Sequence, residues 1–369
     1  MKNRRLLSLY WGISAVILGL VCCLGGRDAW KGSIVTENGV TIVRNPSAPI
    51  YNQGAVEFQD DFVIQGSEDN PKFVFVRPVS IVLDRSKAIY ILDLRDNNIK
   101  VFDANGGYAR TIGRPGVGPG ELESPTYMDI GKDEIAVYCS QLVQMTYYDF
   151  SGKFLRTAHS KTNLSGPFKF DSHGDLFDFV FAQANGRQAY QLTKIDAQLR
   201  AIKTLASEDW VPPQYFQAGH FFVLALNDQI AMGRSDRYQI DVFDNAGSLV
   251  RKIRRDQPAE KIPKEERDAV PSARGMQGMF DKMPEYYAPY YMLYSDEQGR
   301  LIVHTRYQLT GKKEWTYDVF SPDGKFLTTF RLKPAKFLLW ANQRLYTIEE
   351  SEEGFPIIRV RRVIWKAGL

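Results

Sequence analysis

The chain is poor in the residues that build metal centres and covalent cross-links: three cysteines and four histidines in 369 residues. Two of the cysteines, Cys22 and Cys23, are adjacent near the N-terminus, so Cys139 is left with no second thiol and an intrachain disulfide is excluded beyond that point. His159, His173, His220 and His304 form no His-x-x-x-His pair, and no cysteine pair has zinc-ligand spacing; no resident metal or cofactor is expected. There is no Gly-x-Ser-x-Gly elbow, and the Gly113–Gly120 stretch lacks the lysine and hydroxyl residue of a phosphate loop. A strong excess of one charge is missing too. The formal net charge is +4, and removing Lys2, Arg4 and Arg5 with an export signal leaves about +1, which gives no bulk attraction to nucleic acid.

Long apolar runs are also scarce, with Leu6–Leu24 as the conspicuous one behind a basic start. It reads as an export signal or a single membrane anchor, placing the protein in the periplasm or at the cell envelope. Leu20-Val21-Cys22-Cys23 is similar to a bacterial lipobox, which makes Cys22 and Cys23 lipidation candidates; cleavage without lipid and a retained anchor are the alternatives. Membrane association is expected through this segment alone. Residues 1–26 are therefore set apart as signal or anchor, and residues 27–55 as an extended lead-in.

What the sequence has in quantity is strand and turn. Arg77–Pro125 holds four runs rich in β-branched and aromatic residues, Val79–Leu83, Ala88–Leu92, Ile99–Phe102 and Tyr108–Ile112, separated by Asp-, Asn- and Gly-bearing turns. Asp103, Asp149, Asp196 and Asp244 recur after third strands at spacings of 46, 47 and 48 residues, within the range of propeller blades. One four-stranded unit cannot bury its own faces, so copies must stack. A fifth unit runs through Phe320–Thr329. The last, Phe337–Trp340, Arg344–Ile348 and Ile357–Trp365, lacks an outer strand, whereas Val56–Ile64 is a strand with no local partner. Pairing these two ends closes a ring of six. The fold expected is all-β, a six-bladed propeller spanning 56–369, with residues 254–290 inserted between blades 4 and 5.

The segments Pro78–Asp84, Ala88–Asp93, Asn98–Asp103 and the Ile112–Leu122 loop resemble a repeat of the NHL type, and more specifically the six-bladed propellers of exported bacterial families. That resemblance implies the fold. It implies no activity, because such propellers include binding modules and enzymes.

Antiparallel order assigns the loops to two ends. The hairpin turns at one end carry the Asp, Asn, Ser and Gly that turn geometry demands, and His173 is read there as a solvated turn residue. The other end gathers the second-to-third-strand loops and the links between blades. It carries Arg95, Arg114, Arg187, Arg234, Arg237 and Arg306, which no turn requires. Guanidinium forks suit carboxylate, sulfate or phosphate. The alternative is that they pair with Asp96, Asp236 and the acidic run Glu349–Glu353, or point into water. In the insertion, Lys264–Val270 and Ser272–Lys282 have helical spacing. Met276, Met279, Phe280, Met283, Tyr286 and Tyr287 form either a lid over this end or a stripe packed on the blades.

Two functions follow. The first is an exported, monomeric binding module that engages an anionic small molecule, a glycan or a protein at the arginine-bearing end; a passive scaffold is its limiting case. The rival is a lyase or hydrolase with a metal or acid–base site in the central channel. It requires convergence of residues such as Asp129, His220 and His304, with Asp129 and Lys169 in inner strands as the nearest candidates.

Overall fold

The computed structural model describes residues 30–52, 54–66, 74–160, 164, 166–184, 186–209, 219–234, 237–268, 284–306 and 314–366, with the backbone alone at 184, 234 and 306. Two strands lead in, β1 (Ser33–Glu37) and β2 (Val40–Asn45), followed by β3 (Val56–Ile64). Blade 1 comprises β4 (Pro78–Leu83), β5 (Ile89–Asp93), β6 (Asn98–Phe102) and β7 (Tyr108–Ile112). Blade 2 is β8 (Pro125–Ile130), β9 (Ile135–Cys139), β10 (Gln144–Tyr148) and β11 (Phe154–His159). Blade 3 follows with β12 (Lys169–Phe170), β13 (Leu176–Ala184), β14 (Arg187–Ile195) and β15 (Ala201–Asp209). Blade 4 contains β16 (His220–Leu224), β17 (Ile230–Arg234), β18 (Gln239–Phe243) and β19 (Leu249–Arg255). Helix α1 (Lys264–Asp268) precedes blade 5, which is β20 (Met292–Ser295), β21 (Leu301–Arg306), β22 (Trp315–Phe320) and β23 (Phe326–Leu332). Blade 6 is β24 (Phe337–Ala341), β25 (Arg344–Glu350) and β26 (Pro356–Trp365), completed by β3.

The recurring aspartate builds the turns. Asp103 accepts the amides of Asn105 and Gly107 at 2.8 and 3.0 Å, and Asp149, Asp171, Asp196 and Asp296 each take the amides two and four residues on in the same way. Each turn's orphan donors are thereby satisfied without water. The apolar core is divided among the six seams, one cluster between each pair of neighbouring blades. At the closing seam, β3 runs antiparallel to β26 from Val56↔Trp365 to Ile64↔Ile358, so the chain's two ends share one sheet and the ring has no open edge there.

The lead-in is more than an extended segment. β1 and β2 form a hairpin turning at Asn38 and Gly39, whose φ values of 51° and 80° lie in the left-handed region that Asn-Gly adopts readily. β2 then adds in parallel to the outer strand of blade 4, from Thr41↔Arg251 to Asn45↔Arg255. The Asn45 side chain is buried and fully used. Its oxygen accepts from Trp30 Nε1 (3.0 Å) and the Phe326 amide (2.8 Å), and its nitrogen donates to the carbonyls of Gly324 (2.8 Å) and Arg254 (3.2 Å). Onward, Ile50 and Tyr51 donate to the carbonyls of Phe326 and Leu327 in blade 5. Residues 33–64 thus strap the outsides of blades 4, 5 and 6.

Candidate functional site

Third strands of this fold carry a polar residue at two alternate positions near the arginine-bearing end, and the period of two places both on one face. In blades 1, 2 and 4 the pair is bonded to itself: Lys100 Nζ to Asn98 Oδ1 (3.3 Å), Gln144 Nε2 to Thr146 Oγ1 (3.1 Å) and Gln239 Nε2 to Asp241 Oδ1 (2.7 Å). Blade 5 differs. Its pair is Thr316 and Asp318, and their cross-strand partners on β23 are Arg331 and Thr329, so four polar residues make one patch on the blade.

Asp318 is only 1% exposed. Thr329 donates to its Oδ1 at 2.9 Å, Tyr238 of blade 4 donates to Oδ2 at 2.6 Å, and the Arg255 guanidinium pairs with the same oxygen. Burial lifts the Asp318 carboxyl above the usual carboxylate range, against the opposing pull of Arg255 and the two hydroxyls. Burial, with Asp318 adjacent, likewise pushes the Tyr238 phenol well up. Arg255 Cζ lies 4.2 Å from the Phe326 ring centroid and its Nη atoms reach Ser47 O (3.0 Å) and Gln257 Oε1 (3.2 Å), while its buried Nε has no hydrogen-bond partner among the described residues.

Above this floor opens a cavity of about 820 Å³ between blades 4 and 5. Blade 5 contributes Thr305, Thr316, Asp318, Thr329 and Arg331; blade 4 contributes Arg237, Tyr238 and Arg255; the insertion contributes residues 257–260 and 286–289, with Tyr286 and Tyr287 among them. All come from the ends of strands and links that topology assigns to the arginine-bearing end.

Of the six arginines singled out from the sequence, Arg237 lines this cavity. Arg95 is exposed. Arg114 pairs with Glu121 at 2.9 Å and Arg187 with Asp209 at 3.5 Å, each next to its own blade. The side chains of Arg234 and Arg306 lie outside the described residues. Of the acids offered as alternative partners, Asp96, Glu349 and Glu350 are taken by other cations, and Asp236 lies outside the described residues. Asp96 binds Lys100 at 2.5 Å, and Glu349 binds Arg359 and Arg361 at 3.1 and 2.7 Å. Met276, Met279, Phe280, Met283, Cys22 and Cys23 also lie outside the described residues, as does the second helical piece; α1 ends the described part of the first. Arg255, Arg331 and Asp318 were not among the candidates, although an acid inside the apolar alternation of Trp315–Phe320 is a legible signal.

The inner-strand candidates do not gather. Asp129 meets Lys169 at 3.4 Å and accepts the Phe170 amide at 3.0 Å, bridging blades 2 and 3. His220 packs against Phe179 and Tyr190 with centroids 5.9 and 5.5 Å away, and His304 is stacked on Trp315 and Tyr317 at 4.7 and 5.0 Å. Among the described residues, no three His, Cys, Asp or Glu side chains come together as a metal site. Cys139 is buried, which pushes its thiol up.

Residues 72–230 match a family model, DUF5128, described as a 6-bladed β-propeller. The chain is a six-bladed β-propeller. Among solved structures it is similar to a candidate exported protein of Bacteroides fragilis, at 13% identity and a TM-score of 0.58, with 88% of this chain and 99% of that one covered. It is also similar to a DUF4221 family member of Bacteroides vulgatus, at 11% identity and a TM-score of 0.54, covering 84% and 98%. At these identities the likeness speaks for the fold alone. None of the curated proteins matches the sequence. The NHL type rests on the resemblance of Arg77–Pro125 and is not reached by these matches.

Proposed function

We propose that this propeller is an exported binding module of the bacterial cell envelope that takes an anionic small molecule into the cleft between blades 4 and 5. The observation that carries the reading is the cavity itself: a concave site of about 820 Å³ walled by Arg237, Arg255 and Arg331 and floored by a buried carboxyl with a raised pKa. Its volume falls in the range of about 300–1,000 Å³ typical of small-molecule sites. Concavity, convergent cations and a perturbed acid together are what distinguish a site from ordinary surface ion pairs. Export is supported by the Leu6–Leu24 run behind a basic start.

The test is a thermal-shift screen of the full chain against carboxylates, phosphate and sulfate. A ligand of the folded state raises the midpoint in proportion to the logarithm of its concentration over its dissociation constant. The reading expects a midpoint rise with anions that Arg331→Ala diminishes, and a rise indifferent to Arg331→Ala and Arg237→Ala would refute it.

A further inference from the structure

We infer that the ligand of this cleft is a saccharide bearing one carboxylate on the ring that enters it, that is, a uronic-acid type of sugar; this rests on the cleft being an anion site. The first argument is charge balance. Arg255 is already neutralised by the buried Asp318, which leaves Arg331, 60% exposed and only loosely paired with Glu314 at 3.8 Å, as a cation open to a ligand. A phosphate or polyanion is best matched by several convergent donors or an amide-lined cradle, which one loosely paired guanidinium does not supply. A ligand with a single negative charge and many hydroxyls suits this wall better: its carboxylate takes the Arg331 fork and its hydroxyls donate to the threonine oxygens.

The second argument is the density of hydroxyls. Thr305, Thr316 and Thr329 come from three neighbouring strands of one blade; Thr305 and Thr329 already donate, to the Thr316 carbonyl (3.2 Å) and to Asp318 (2.9 Å), so their oxygens are left as acceptors for ligand hydroxyls. An apolar acid such as a fatty acid carries no hydroxyl donors to offer these acceptors. The third is the aromatic wall. Tyr286 is 46% exposed and lines the cavity with Tyr287, and tyrosine rings suit the C–H side of a sugar while their hydroxyls remain polar. Finally, the floor is already ordered: Asp318 is fixed by Thr329, Tyr238 and Arg255 before any ligand arrives, which lowers the ordering cost of binding.

The test titrates the full chain with mono-, di- and trisaccharides of glucuronic and galacturonic acid, the matching glucose and galactose sugars, inorganic phosphate and glucose 6-phosphate. Affinity is read from calorimetry and from midpoint shifts. The inference expects a uronate to bind about tenfold or more tighter than its neutral counterpart, the margin of one charge-assisted contact. Arg331→Ala is expected to erase that margin, and Tyr286→Ala to weaken uronate and neutral sugar together. Phosphate or glucose 6-phosphate binding as tightly as any uronate, in a manner lost on Arg331→Ala, would overturn the saccharide and leave the anion site standing. No response to any of these probes would overturn both.

Discussion

Two clefts of the same ring, built from the same repeat, have opposite contents. Between blades 6 and 1 the described end of the link, residues 74–77, lies in the seam. Phe75 is buried there with Lys100 5.8 Å from its ring centroid, and Asp93 accepts the amides of Val76, Arg77, Arg95 and Asp96. Lys100 is neutralised by Asp96 and by Asp93 at 3.8 Å. The corresponding polar position between blades 4 and 5 is Asp318, and there the described parts of the link, residues 257–260 and 286–289, line the cavity over it. At the shorter link the polar stripe is spent on the protein's own amides and charges; at the longer one it faces a cavity.

That contrast can be broken most strongly at its two centres. Asp318→Ala leaves the Arg255 guanidinium buried without its carboxylate, and should lower unfolding stability by about 3–5 kcal/mol in urea titrations. Phe75→Ala should cost a similar amount, about 3–5 kcal/mol, for an apolar reason, and should open a second cavity where the ring had none. If Asp318→Ala were neutral, the floor would be solvated and the comparison would fail.

Next in size is the strap. Asn45→Ala strands buried donors and acceptors of blades 4 and 5, an expected loss of about 1–3 kcal/mol. Hydrogen exchange should show residues 33–45 opening ahead of the blades, because they join the ring through one short ladder to β19 and the Asn45 side chain at its end. Exchange that stays uniform with the core would mean the hairpin is held elsewhere.

A smaller effect appears in pH dependence, with opposite signs at two acids. Asp318 binds its proton more tightly folded than unfolded, so stability falls as pH rises from the ordinary carboxylate value through its raised one; Asp318→Asn should flatten that descent. Glu349 is partly raised by burial, but Arg361, Thr347 and Arg359 outweigh this and hold it low. Its contribution is present above the ordinary glutamate value and lost as pH falls through the lowered one, and Glu349→Gln should remove that acid-side loss. Smallest is Arg331→Ala. The side chain is 60% exposed and its pairing with Glu314 is loose at 3.8 Å, so stability should change by less than about 0.5 kcal/mol while ligand affinity drops.

Most of the architecture was legible because each blade repeats the same local code of strand, Asp-Gly turn and strand, and because Val56–Ile64 was conspicuous as a strand without a neighbour. The lead-in hairpin was equally legible in Glu37-Asn38-Gly39-Val40, flanked by β-branched residues; reading that segment as merely extended passed over the Asn-Gly signal. The site was harder. Lys100, Thr146, Asp241 and Asp318 occupy equivalent third-strand positions, and nothing in their identity says which cleft is open. The arginines could be assigned to one end from strand order. Their radial and angular positions could not, and so Arg114 and Arg187 prove to serve local acids while Arg255 and Arg331, outside the loops considered, face the cavity. The 254–290 insertion is the sequence feature that falls at the seam where the cavity lies.

The most direct test of the central claim is amide hydrogen exchange on the full chain with and without the uronate oligosaccharide that gives the largest midpoint shift. The account predicts added protection confined to residues 237–241, 255–260, 286–290 and the outer strands of blade 5. Protection centred instead on Arg95, Arg114 and the links of blades 1 and 2, or spread evenly around the ring, would contradict it.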